Sequence, residues 1–251
     1  AKNMMLFKVA GMEPTAKVVY AASVGNWIMR HEPEIWARTA KYVMLPTYLN
    51  YKLTGNLIDS ASNQIGHIPF DYKNRRWMKP GSLTRCFCDV PNEKLCDLVP
   101  SGTVIGTITD EVCALTGIPA GLPLISTGSD KGCETLGLAV VDSDKASISL
   151  GTTATIQFST TEYVEPQQFL PAYPGVLNDH YNPEIEIYRG LWLLSWFVKE
   201  FGTADAIDAK EKGMAPEALL DQRIRDLPAG SDGLLLQPYW TAGILHPDSL
   251  G

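Results

Sequence analysis

A short apolar run, closed by glycine at both ends and followed at once by a carboxylate and a helical pattern, constrains this chain more than any other feature. Leu122, Pro123, Leu124, Ile125, Ser126 and Thr127 lie between Gly121 and Gly128. A mostly apolar, partly β-branched run of this length predicts a strand buried on both faces. Asp130 then leads into Lys131–Val140, which carries Gly132 and Gly137; glycines weaken a helix but admit a neighbouring backbone. Strand followed by helix points to an α/β sheet, and open α/β sheets bind ligands beyond the carboxyl ends of their strands, where Asp130 falls. The plainer reading makes Asp130 the helix N-cap, accepting backbone N–H groups.

Farther on, Ala146–Leu150 alternates small or polar with apolar residues, Gly151-Thr152-Thr153 interrupts, and Ala154–Ser159 resumes the alternation. That pattern predicts a β-hairpin. Backbone N–H groups in such a turn can converge on an anion, and threonine hydroxyls add donors without charge. An ordinary hairpin loop is the competing reading.

The order and spacing of these two pieces resemble the FGGY family of carbohydrate kinases. The resemblance rests on Gly128-Ser129-Asp130-Lys131-Gly132-Cys133-Glu134-Thr135-Leu136-Gly137 and Ser149-Leu150-Gly151-Thr152-Thr153-Ala154. Ala40–Gly55, ending in Leu53-Thr54-Gly55, and the stretches Arg75-Arg76-Trp77, Val104–Gly106 and Thr116–Gly121 fall in the family's order. Trp27-Ile28-Met29-Arg30-His31 fits as well, although Val24 stands where the family usually has a lysine three residues before the tryptophan.

The resemblance implies an α/β fold of the actin-like (ribonuclease-H-like) ATPase type, present as parts of two domains. Neither the Asp-x-Gly-Thr turn expected near the family's N-terminus nor its late Gly-rich adenine-side segment occurs in the sequence. The expectation is therefore either a fragment of such a kinase or a remnant that kept half of the cleft, inactive by itself. Residues 1–143 would be the C-terminal part of the sugar-binding domain, and residues 144–251 the N-terminal part of the nucleotide-binding domain, with Asp142-Ser143-Asp144 at the boundary.

The implied reaction moves the γ-phosphoryl group of ATP to a sugar or polyol hydroxyl, with a ketopentose or related polyol as the preferred acceptor. Asp130 would be the general base, Gly151, Thr152 and Thr153 would hold phosphate, and Ser129 and Lys131 would touch the acceptor. Magnesium would be held through phosphates and water, with no metal ligand assigned in this chain. Sugar or polyol, ATP and a second copy of the chain in a homodimer are the partners the resemblance allows. Two alternatives stay open: a non-catalytic actin-like nucleotide-binding or regulatory protein, and a chaperone-type ATPase without a sugar acceptor. The Leu-Thr-Gly turn and the Gly-Ser-Asp-Lys-Gly block speak against the second.

Composition narrows the classes further. With 251 residues, 45% of them hydrophobic and 20% charged, the chain can bury a substantial core. A formal net charge of −7 argues against nucleic acid, and the basic group Lys73, Arg75, Arg76 and Lys79 reads as a solvated loop. The strongly apolar run Leu191–Val198 falls well short of the ~20 residues of a membrane span and predicts a core helix, with Trp192 and Trp196 packing on one face. No signal segment is visible, which suggests a cytoplasmic protein. Five cysteines form no disulfide framework, and Cys86, Cys88 and Cys96 have no fourth ligand nearby for structural zinc. Cys133 reads as a small buried residue.

Local signals place the remaining elements. Residues 18–42 have helical spacing, with Pro33 opening a new helix. Residues 108–117 predict a helix stopped by Gly117. Pro69–Arg76 and Pro166–Pro183 read as loops, two helices are expected near 186–201 and 203–213, and Leu234–Trp240 predicts a buried terminal strand.

Overall fold

The computed structural model describes residues 2–9, 13–66, 68–167 and 170–237. The chain forms two compact units, one of residues 1–147 and 157–184, the other of residues 148–156 and 185–251, so it passes between them three times.

Four short helices open the first unit: α1 (Lys2–Val9), α2 (Glu13–Ala22), α3 (Val24–His31) and α4 (Pro33–Arg38). Ser23 starts α3, its hydroxyl accepting from Asn26 N at 3.3 Å. Pro33 sits in the first turn of α4, where its missing N–H costs nothing. The helical spacing expected to reach Tyr42 ends at Arg38. Next, α5 (Leu45–Thr54) stops at Gly55, whose φ of 78° is a left-handed conformation that glycine adopts without a Cβ penalty. The Leu-Thr-Gly signature is thus a helix C-cap.

Strand β1 (Ile58–Ser60) follows, then β2 (Phe70–Asp71) and β3 (Arg76–Trp77), an antiparallel hairpin where a loop was expected. Burial makes the difference: Phe70 and Tyr72 form a core with Ala61, against which Ile68, Trp77, Leu98, Tyr163 and Tyr173 pack. Arg75, expected in a solvated loop, is pinned instead. Its Nη2 donates to His180 O at 3.0 Å and its guanidinium lies 4.3 Å from the Tyr181 ring centroid. A second core holds Cys88, Val90 and Leu95, flanked by Met29, Trp36, Tyr42 and Trp77. Trp77 belongs to both, and its indole N–H donates to Cys96 O at 2.8 Å.

Strand β4 (Asp97–Val99) runs parallel to β1. After it come β5 (Val104–Thr107), α6 (Asp110–Thr116), β6 (Pro123–Ile125) and α7 (Asp130–Gly137). Thr109 caps α6 at one end and Gly117, at φ 78°, closes the other, as the sequence signals require. The strand expected over Leu122–Thr127 is shorter and not buried on both faces. Among the described residues β6 pairs with β5 alone, antiparallel, and Leu122 and Ile125 remain 49% and 43% exposed.

The chain then makes β7 (Ser147–Leu150) and β8 (Ala154–Gln157), returns to the first unit for β9 (Tyr173–Pro174) and β10 (Tyr181–Asn182), and continues through β11 (Glu184–Ile187). The β9–β10 pair is antiparallel and lies where a plain loop was expected; Tyr72 packs edge-on against Tyr173 at 5.4 Å and helps hold it.

The second unit is built on a three-stranded sheet ordered β11-β8-β7 and on helices α8 (Trp192–Glu200), α9 (Thr203–Glu211) and α10 (Pro216–Ile224). Residues 184–187 are strand, so the first helix begins later than its apolar pattern suggested. Arg223 of α10 joins Asp205 and Asp208 of α9, with Nη2 3.0 Å from Asp208 Oδ2. The expected core helix is not one: no residue of α8 is buried, and Trp192 is 60% exposed. Within Leu234–Gln237 there is no strand and Leu235 is 92% exposed, while Pro238–Trp240 lie outside the described residues. Among the described residues no helix is long and apolar enough to cross a membrane.

Candidate functional site at the head of helix α7

Ser129 is the N-cap of α7. Its backbone is extended, with φ −61° and ψ 159°, and its hydroxyl accepts from Gly132 N at 3.2 Å. The capping role considered for Asp130 therefore falls one residue earlier. Asp130 is the first helical residue and is exposed; its Oδ1 accepts from the Lys131 N–H at 2.8 Å. A carboxylate there sits at the positive end of the helix with one oxygen steadied by the backbone. Among the described residues Oδ2 has no hydrogen-bond partner.

Buried hydroxyls hold the segment leading into this helix. Ser126 Oγ donates to Pro100 O at 2.9 Å and accepts from Thr103 N at 3.1 Å. Ser101 Oγ donates to Thr127 O at 2.9 Å and lies 3.0 Å from Ser60 Oγ. Ser62 O accepts from Ser129 N at 3.1 Å, and Ser62 Oγ donates to Gly175 O at 2.6 Å. Ser60, Ser62, Ser101, Ser126 and Ser129 are all buried, so each hydroxyl needs these bonds.

Behind them lies Asp59, buried and crowded with donors. Thr47 Oγ1 donates to Asp59 Oδ2 at 2.6 Å, Ser60 N to Oδ1 at 2.8 Å, Asn63 Nδ2 at 3.2 and 3.1 Å, and Gln64 Nε2 at 3.2 Å. Sequence patterning misses this cluster. The run Asp59-Ser60-Ala61-Ser62-Asn63-Gln64 has no strand or helix period, and its one signal is five polar residues around a single alanine.

Lys131 turns inward. Its Nζ lies 2.6 Å from Glu184 Oε1, Gln157 Nε2 is 3.5 Å from Glu184 Oε2, and Thr135 donates to Gln157 Oε1. Gly132 lies 3.4 Å, measured from an added Cβ, from a methyl of Val176, while Gly137 faces open space. Of the two helix glycines only the first is crowded, an added Cβ there lying 3.1 Å from the capping Ser129 Oγ. Cys133, expected to be buried, is exposed.

In the second unit, β7 and β8 flank the Gly151-Thr152-Thr153 turn as the alternation predicts. Gly151 N donates to Thr153 O at 2.9 Å. From the loop before α8, Gly190 N donates to Thr152 O at 2.8 Å and Leu191 N to Gly151 O at 2.9 Å. Gly190 can make this approach because it lacks a Cβ, which would come within 2.6 Å of Thr153 O. The turn's carbonyls are thereby occupied. Among the described residues the amides and hydroxyls of Thr152 and Thr153 have no partner, which leaves a set of donors suited to an anion.

A cavity of about 480 Å³ lies elsewhere in the first unit, among Phe70, Tyr72, Met78, Phe87, Tyr163 and Glu165, and Asp130 does not line it. Among the described residues no group of three His, Cys, Asp or Glu side chains is placed to hold a metal. The perturbed thiols and phenols are structural: burial pushes Cys96 up to about 11 and Tyr72 well above the ordinary phenol range.

The family model described as "FGGY family of carbohydrate kinases, N-terminal domain" matches residues 10–137, just over half of the chain. This chain belongs to the FGGY family of carbohydrate kinases. The sugar kinase YgcE of Escherichia coli K12, named as uncharacterized, is 31% identical over 205 residues, which cover 81% of this chain and 42% of that protein. An autoinducer-2 kinase of Klebsiella pneumoniae is 28% identical, over 83% of this chain and 39% of its own length. The chain thus spans about two fifths of these curated relatives. Among solved structures, a xylulose kinase from Rhodospirillum rubrum superposes with a TM-score of 0.68 at 24% identity, covering 88% of this chain and 43% of that one. The FGGY chain therefore has the α/β, actin-like (ribonuclease-H-like) fold of these kinases.

Proposed function

We propose that this FGGY chain supplies the base and a phosphate-binding turn of an enzyme that transfers the γ-phosphoryl group of ATP to a sugar or polyol hydroxyl. The observation that carries this reading is the Asp130 carboxylate, exposed at the head of α7 with one oxygen tied to its own helix and the other without a hydrogen-bond partner among the described residues. As the acceptor oxygen bonds to phosphorus and the bond to ADP breaks, the hydroxyl proton passes to Asp130, a general-base contribution of about 10²–10⁴ in rate.

The donors of Thr152 and Thr153, without partners among the described residues, fit with Gly151 a phosphate chain, and Ser129 and Lys131 flank the base on the acceptor side. Magnesium would ride mainly on phosphate oxygens and water. It would neutralise charge on the transferring group. Residues 1–143 would serve the sugar and residues 144–251 the nucleotide, and ATP as co-substrate fits a cytoplasmic enzyme. Two of the relatives are named for different acceptors, autoinducer-2 and xylulose, and a ketopentose or related polyol is the acceptor class proposed here.

The test is ATP consumption by the protein at its natural full length against a panel of D-xylulose, L-ribulose, glycerol and gluconate, with wild type and Asp130→Asn. Turnover with one acceptor, abolished by Asp130→Asn while acceptor binding persists, is expected. A variant keeping a tenth of wild-type turnover removes Asp130 from the role.

A further inference from the structure

We propose that Ser62 and Val176 are positioning residues, forming a seat that fixes the direction of the Asp130 carboxylate through the backbone of Gly128 and Ser129. The inference rests on the reading of Asp130 as the base.

Three contacts define the seat. Ser62 O receives the Ser129 N–H at 3.1 Å, immediately before the carboxylate. Ser62 Oγ donates to Gly175 O at 2.6 Å and so ties the two sides of the seat together. Val176 presses its methyl onto Gly128, where an added Cβ would lie 2.7 Å from Val176 Cγ2 and 3.4 Å from Ser62 Cβ; at Gly132 the same methyl is in ordinary contact, 3.4 Å from an added Cβ.

Conformation does not explain Gly128, because it is not among the glycines with positive φ. Contact does. Any side chain at 128 must displace Val176 or push the start of α7 off Ser62. Both walls are themselves hydrogen-bonded in place: Ser62 belongs to the short 3₁₀ helix Ala61–Asn63 anchored on Asp59, and Gly175 N donates to His180 O at 2.8 Å. A base two residues from the contact inherits any tilt, and a misplacement of about 1 Å can cost 10²-fold in rate.

The experiment compares wild type, Gly128→Ala, Gly128→Ala/Val176→Ala and Asp130→Asn at natural full length. It reads kcat and KM with D-xylulose, or with the panel acceptor that supports turnover, and hydrogen exchange at the Ser129–Gly132 amides. Gly128→Ala is expected to lower kcat by about tenfold to a hundredfold, to leave KM for acceptor and ATP within about threefold, and to speed exchange at Ser129. In the double variant the alanine methyl takes the space freed at 176, so kcat and slow exchange return. Wild-type kcat and exchange in Gly128→Ala, or a double variant that neither folds better nor recovers, overturns the seat. A tenth or more of wild-type turnover in Asp130→Asn would instead remove the base, while exchange at Ser129 still reports on the seat.

Discussion

Lys131 Nζ and Glu184 Oε1 lie 2.6 Å apart, which joins the first turn of the Asp130 helix to a residue more than fifty positions later in the chain. Glu184 is buried and has Gln157 as a second neighbour, so the pair is shielded from solvent on the carboxylate side. Replacing the carboxylate leaves the ammonium opposite an amide in a partly buried place. Glu184→Gln is expected to lower the unfolding free energy by about 1–3 kcal/mol in urea denaturation. Lys131→Met should lower the melting temperature and raise acceptor KM about tenfold; a KM within about twofold of wild type would leave the ammonium a purely structural partner of Glu184.

The Gly151–Thr153 turn, proposed to hold phosphate, offers a separate test. Because Gly190 approaches the Gly151–Thr153 carbonyls too closely to accept a methyl group, Gly190→Ala must push the turn out of shape. The expected outcome is an ATP KM raised about tenfold or more, with acceptor affinity unchanged, measured by isothermal titration and steady-state kinetics. Unchanged ATP binding would show that the turn does not hold phosphate.

Asp59 is the hub behind the seat, and Thr47 is its closest side-chain donor at 2.6 Å. Thr47→Val keeps the shape and deletes the hydroxyl. A hydrogen bond to a charged, buried group is worth about 1.5–3 kcal/mol, and a loss of that size in unfolding free energy is expected. A loss below about 0.5 kcal/mol would mean that Asp59 is satisfied by its other donors alone.

Alkaline pH should weaken the first unit. Burial raises Cys96 from 9.0 in the unfolded chain to about 11, and Tyr72 moves in the same direction. Each group is neutral when protonated, and the folded state holds its proton more tightly. The stability they contribute is complete below pH 9 and is lost as pH rises through about 11 for the thiol. Melting temperatures recorded from pH 8 upward should fall within that window. Cys96→Ala should flatten part of the fall.

Elements announced by their own neighbours were legible in the sequence. Pro33, Gly55, Thr109 and Gly117 each set a helix end through local geometry, and the alternation around Gly151–Thr153 marked β7 and β8. Elements that exist through distant partners were not. The two-residue strands at Phe70–Trp77 and Tyr173–Asn182 are stabilised by aromatic packing between segments a hundred residues apart, which no window of local pattern contains. Glu184–Ile187 alternates like a strand but runs directly toward an apolar helix, and the helix signal masked it. Asp130 and the Gly-Thr-Thr turn are candidates read from motif chemistry, whereas Ser62, Val176, Asp59 and Glu184 carry no local pattern and come into view only through their contacts.

Neither unit is an unbroken stretch of chain, because residues 157–184 rejoin the first unit after the β7–β8 turn has already been made in the second. On the ribosome, the platform beneath Asp130 therefore stays incomplete until translation has moved past Glu184. A stalled nascent chain cut at the apparent seam near residue 147 would lack Gly175 and Val176, and release of such a product should yield a protease-sensitive intermediate in place of an independent domain.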